Sequence, residues 1–134
     1  MNSPRVPSTQ SDTAIPVASS DVFVALRGLL FAYKADLAVV HDKDDHFYAN
    51  CKNTDAKGKA QFFGAVKVSG RRHTFHFMPI YDFPDLLDAI SPTLKKRVQG
   101  KSCFNIDSLD PALIQALEHL VEQGVSRYRD AGKL

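Results

Sequence analysis

Residues 61–105, QFFGAVKVSGRRHTFHFMPIYDFPDLLDAISPTLKKRVQGKSCFN, decide the fold. Two runs rich in Phe, Val and Thr flank a Ser-Gly pair, two Pro-started stretches follow, and a short aromatic run closes the segment. That order predicts a tight hairpin, a pair of short helices and a return strand. A two-residue turn at Ser69-Gly70, with glycine supplying the positive φ, opposes Val68 to Arg71, Val66 to His73, Gly64 to Phe75 and Phe62 to Phe77. On that register Phe62, Val66, Val68, Phe75 and Phe77 form the core face, and Gly64 leaves room opposite a ring. The reverse face carries Phe63, Ala65, Lys67, Arg72, Thr74, His76 and Met78. A face mixed in this way is where a binding surface is expected.

Working outward, Ser20 or Asp21 caps an amphipathic helix over VFVALRGLLFAYK, with Val22, Leu26, Leu29 and Tyr33 on its buried side. Asp36 to His41 and His46 to Cys51 are two β-rich runs around the polar tetrapeptide 42–45, a second hairpin. The loop 53–59 leads into the quoted segment. There Pro84 and Pro92 start the two short helices, Ser91 caps the second, and Gly100 stops it after Val98. A last strand is expected over Lys101 to Ile106. Asp110-Pro111 then caps a long helix with Ile114, Leu117, Val121, Val125 and Tyr128 on one stripe. The sum is one α+β domain over residues 20–131: an antiparallel sheet of about five strands packed against N- and C-terminal helices, with two short helices before the last strand. Residues 1–19, rich in Ser, Thr and Pro, read as a disordered tail without the apolar run of a secretory signal.

The 134 residues leave room for one compact domain, large enough to fold without a metal or disulfide. A net charge of +2 neither demands nor excludes a polyanionic partner. Two cysteines, Cys51 and Cys103, stand far apart with no C-x-x-C, as in a reduced cytoplasmic protein with two small buried side chains. No stretch reaches the ~20 apolar residues of a membrane span.

The run FFGAVKV, followed by HFMPIYDFPDLLDAISPTLKKRVQGKSCFNID and a helix capped by Asp-Pro, resembles the YdhG-like domains of unknown function, small bacterial α+β proteins. The resemblance covers roughly residues 20 to 130, and Gly100-Lys101-Ser102 leading into an aromatic strand is its most specific part. Some relatives are described as frataxin-like iron chaperones, so the resemblance implies intracellular iron delivery as an alternative role. Frataxin-type iron binding uses an acidic helix ridge, whereas the first helix here has only Asp21 and Asp36 at its ends.

Gly100-Lys101-Ser102 is also the ending of a phosphate loop, but Lys95 stands where that motif needs glycine, and helix precedes strand instead of following it. His41, Asp42, Asp44, Asp45 and His46 gather metal-ligand types within one turn, without the glycine and glutamate of an EF-hand. A solvated loop is the plain reading, and an iron site the alternative. Cys103 beside Lys101 and Ser102 would be an activated thiol only if basic neighbours lowered its pKa. His73 falls at the core edge, and His76 on the mixed face. Lys95, Lys96, Arg97 and Lys101 form a basic run around the second short helix. With Lys67, Arg71 and Arg72 nearby they would make a patch for an acidic ligand, a phosphate or nucleic acid. No RNP-type motif or recognition helix supports sequence-specific nucleic-acid readout, and nucleic acid is not expected.

The reading is therefore a non-enzymatic module binding a small anionic ligand or a protein through Phe63, Lys67, Arg72, His76, Lys95, Lys96, Lys101 and Ser102, with no cofactor. The alternatives are iron delivery and, more remotely, an enzyme using Cys103 or His76.

Overall fold

The computed structural model describes residues 20–134, so the expected tail over 1–19 lies outside the described residues. Helix α1 (Asp21–Phe31) is followed by strands β1 (Leu37–Lys43), β2 (His46–Cys51), β3 (Phe62–Ser69) and β4 (Arg72–Phe77). A short helix α2 (Pro79–Asp82), a 3-10 turn (Pro84–Ala89) and α3 (Pro92–Lys95) lead to β5 (Val98–Gln99) and β6 (Cys103–Asn105). Helix α4 (Pro111–Asp130) ends the fold. The strands form one antiparallel sheet of six in the order β1-β2-β3-β4-β6-β5. The α+β expectation holds, with one strand more than expected. Val98 and Gln99 pair with Phe104 and Cys103, and Gly100, at φ +70°, turns the chain between those strands instead of stopping a helix.

Local chemistry explains the ends. Ser20 Oγ accepts the Phe23 N–H at 3.0 Å, satisfying one of the donors that a helix start leaves free. Asp110 caps α4 in the same way through the Ala112 N–H, with Pro111 in the first turn. Ser20 Oγ also shares a 2.7 Å hydrogen bond with His73 Nε2, which ties the start of α1 to β4.

Helices α1 and α4 cover one side of the sheet and seal a single core. Phe47, Phe63, Phe75, Phe77 and Phe104 meet Leu26, Leu30, Leu117 and Val121 there, all at most 1% exposed. Two glycines allow close approach. A Cβ at Gly124 in α4 would stand 2.5 Å from the Phe77 ring, and one at Gly64 would meet Leu30 of α1 at 3.3 Å.

Two corrections concern the central hairpin. Ser69 pairs with Arg72, so the loop is Gly70-Arg71 with Gly70 at φ +63°, and Val66 lies opposite Phe75, Gly64 opposite Phe77. The shift is by two residues, an even number, so it changes partners without changing faces. The second correction does change a face. Ala49 pairs with Gly64 but Asn50 pairs with Phe62, leaving Phe63 as the extra residue of a β-bulge. Phe63 turns into the core at 0% exposure, and Phe62 moves to the opposite side. The assignment of Phe63 to the mixed face and of Phe62 to the core is thereby reversed.

A second bulge lies in β1 between Val39 and His41. The first hairpin is also tighter than expected, since Asp42 and Lys43 belong to β1 and only Asp44-Asp45 make the turn.

Candidate functional site

The side of the sheet away from α1 and α4 has no helix on it among the described residues. Registers place His41 and Lys43 of β1 on this open face, then His46, Tyr48 and Asn50 of β2, and Phe62, Ala65 and Lys67 of β3. Arg72, Thr74 and His76 of β4 continue it, and Cys103 and Asn105 of β6 complete it. None of these residues is acidic.

The rings form a connected strip across four strands. His41 and His46 stack at 5.2 Å between centroids, and His46 lies 6.1 Å from Tyr48. Tyr48 is 4.8 Å from Phe62, and Phe62 is 4.6 Å from His76. All but the more open His41 are half-buried, so each keeps one side toward solvent. Aromatic side chains in that state offer apolar area together with a polar tip.

His76 Nε2 shares a 2.7 Å hydrogen bond with Ser102 Oγ. Burial pushes the His76 pKa down, so the imidazole is neutral at physiological pH. His46 is held down as well, first by burial and then by the charges of His41 and Lys67, against an opposing pull from Asp45, with Lys43 adding least. That ordering reports a local excess of positive charge, since like charges disfavour the protonated ring.

The sequence-predicted residues do not all meet. Lys67, Arg72, His76 and Ser102 do lie on or beside the open face. Phe63 is in the core. Lys95 and Lys96 sit on and just after α3, which packs on α4, so the basic helix belongs to the helical layer and not to this face. Lys101 lines a separate groove of about 550 Å³ with Ile80, Tyr81, Pro84 and Leu87. The basic patch imagined as one surface is thus divided among three.

The metal-type cluster is divided too. His41 and His46 stack on the open face, while Asp42 takes two hydrogen bonds from the Arg27 guanidinium, at 2.8 and 2.7 Å. Arg27 lies over the Phe31 and Phe47 rings of the helix side, and its hydrogen bonds pull the Asp42 pKa below the usual carboxylate range. Among the described residues no group of three or more His, Cys, Asp or Glu side chains is arranged to hold a metal ion.

The enzyme reading gains a contact and loses a driving force. Cys103 is directly opposite His76, and Ser102 lies beside both. Burial pushes the Cys103 thiol up, with Ser102 opposing, so it stays protonated and weakly nucleophilic at neutral pH. Among the described residues no side chain hydrogen-bonds His76 Nδ1, so beyond the Ser102 contact no third side chain orients the imidazole. Cys51, pushed up to about 11 chiefly by burial, faces the core with two strands between its own strand and that of Cys103. Both cysteines are free thiols.

Tyr48, Phe62 and Asn105 were missed as site residues, and His41 and His46 were singled out only as metal-ligand types. The alternation His46, Phe47, Tyr48, Ala49, Asn50, Cys51 carries the signal for the first of these, because Phe47, Ala49 and Cys51 are the buried half. Phe62 had no such signal, because the bulge reverses its face. Among the described residues no helix is long and apolar enough to cross a membrane. Comparison with protein-family models, with curated proteins and with solved structures finds no match to this chain.

Proposed function

We propose that this protein is a non-enzymatic binding domain whose open sheet face receives an anionic ligand carrying a planar ring. The observation that carries the reading is the composition of that face: connected rings, the cations Lys43, Lys67 and Arg72, and no carboxylate among its strand residues. Rings supply apolar and stacking contact, and unpaired cations supply attraction and orientation. Among the described residues no ion pair engages Lys43, Lys67 or Arg72, whereas Arg27, Arg127 and Arg129 are each held by an aspartate. Asn105 Oδ1 lies buried beside this face with no donor, an uncompensated acceptor that a ligand donor would satisfy after a small side-chain movement.

The YdhG-like resemblance remains our proposal for the family. An α+β domain with a helix at each end supports it, and the division of the His-Asp cluster argues against iron as the cargo.

The test is a thermal-shift screen with nucleotides, sugar phosphates and ferrous iron, because a ligand of the folded state raises Tm by mass action. A nucleotide shift that disappears in Lys67→Ala and His76→Ala is expected. An equal shift in both variants would remove the open face as the site, and a shift with iron alone would restore the metal reading.

A further inference from the structure

We propose that the open face binds single-stranded nucleic acid without sequence preference, its phosphates along a cationic row and its bases on the rings beside that row. This rests on the reading of the open face as an anion site, and names the ligand class. One level of the sheet runs Lys43, His46, Lys67, Thr74, Asn105 through successive pairings, and the Asn105 N–H donates to the Arg97 carbonyl at 2.8 Å, carrying the row to the far edge. Cations therefore stand at β1, at β3 and just before β5, the first, third and sixth places across the sheet. At about 4.8 Å between strands the row spans about 24 Å.

The next level up holds His41, Tyr48 and His76, with Phe62 between the last two rings. A mononucleotide brings one ring and one phosphate cluster, and would fill only part of this surface. An extended strand brings repeated phosphates and repeated bases in parallel, which is what two adjacent rows of cations and rings match. A duplex offers the phosphates but keeps its bases stacked inside, leaving the rings without partners. Binding of this kind needs stacking platforms and a cationic track, not a readout motif. The small net charge does not oppose it. Several carboxylates sit in the helical layer or at its border, as with Asp36, Asp42 and Asp85 in ion pairs and Glu118 and Glu122 on α4, so the overall balance conceals a face whose strand residues carry none; the nearest, Asp45 beside His46 and Asp107 beside Arg72, lie at its edges.

The experiment is fluorescence anisotropy of the full chain with labelled oligo(dT) and oligo(U) of about eight nucleotides, titrated in salt. Binding is expected with a log-log salt slope of about −2, since each of three neutralised phosphates contributes about −0.7 for single strands. Lys67→Ala should make the slope shallower by about 0.7. Phe62→Ala should weaken affinity between about 5- and 150-fold while leaving the slope unchanged. Oligo(dT) and oligo(U) of equal affinity mean that bases and phosphates are read; a preference for oligo(U) adds contact with the 2′-hydroxyl, and both results support the proposal. Uridine monophosphate bound as tightly as the oligomers, with the same response to the variants, would overturn the strand and leave the anionic-ligand reading intact. A duplex competing equally well, a slope near zero, or no binding at all would also overturn it. In the last case the small-molecule screen alone decides the broader reading.

Discussion

The two faces of the sheet carry similar numbers of rings, and they do different work. On the helix side Phe47, Phe63, Phe75, Phe77 and Phe104 are all at 0% exposure, and each is purely apolar. On the open side His41, His46, Tyr48, Phe62 and His76 touch one another just as closely, but four of the five carry a polar atom and the strip stays half in water. Aromatic content therefore does not separate core from site in this protein. What separates them is whether a helix covers the ring and whether the ring has a polar atom to keep wet.

The sharpest way to break this contrast is the adjacent pair at the bulge. Phe63→Ala should cost about 3–5 kcal/mol, because it empties a sealed site against Phe77 and Tyr128. Phe62→Ala should cost about 1 kcal/mol or less, because that ring is already half in water. Chemical denaturation of the two variants measures the difference, and equal losses would mean that the bulge is absent.

A second pair sets two helix glycines against each other. Gly124→Ala should destabilise by about 1–3 kcal/mol, since its methyl would enter the Phe77 ring and Pro79. Gly28→Ala, with nothing within 4 Å of the added carbon, should stabilise by roughly 0.5–1 kcal/mol through helix propensity alone. If Gly124→Ala raised Tm as Gly28→Ala is expected to, the close contact between α4 and the sheet would be wrong.

The smallest effect concerns the open face itself. His46 and His76 both have folded pKa values below the ordinary histidine value, so the unfolded chain takes up protons first as pH falls. Stability should be complete above about pH 6.5 and decline as the pH drops through the depressed folded values. His76→Gln should flatten that decline between pH 7.5 and 5.5 in thermal melts. Asp42, whose folded pKa is lowered by Arg27, loses its contribution only at more acidic pH, below the usual carboxylate range. An unchanged slope in His76→Gln would show that this ring is not desolvated.

Much of this architecture follows from short-range chemistry. Ser20 and Asp110 are capping residues wherever a helix follows them, and both helices they start have the expected apolar stripe. Gly70 supplies a positive φ that other residues resist, so a hairpin there was legible even though the pairing moved by two residues. His73 and His76 fell on the faces that alternation assigns them, one at 6% exposure and the other half-buried. The two-residue strand β5 was not legible, because Val98 and Gln99 hold their shape only by pairing with β6.

What the chain by itself determined was the order of elements, the α+β class, the caps and the parity of most strand residues, all set by interactions within a few residues of one another. What only the tertiary structure decided was which of Phe62 and Phe63 enters the core, and which cations share a surface. The first depends on an extra residue in β3 opposite β2, and the second on strands from opposite ends of the domain lying in one sheet. Both are pairings at long sequence separation, where the free energy comes from burying one particular face against two helices and not from any local preference.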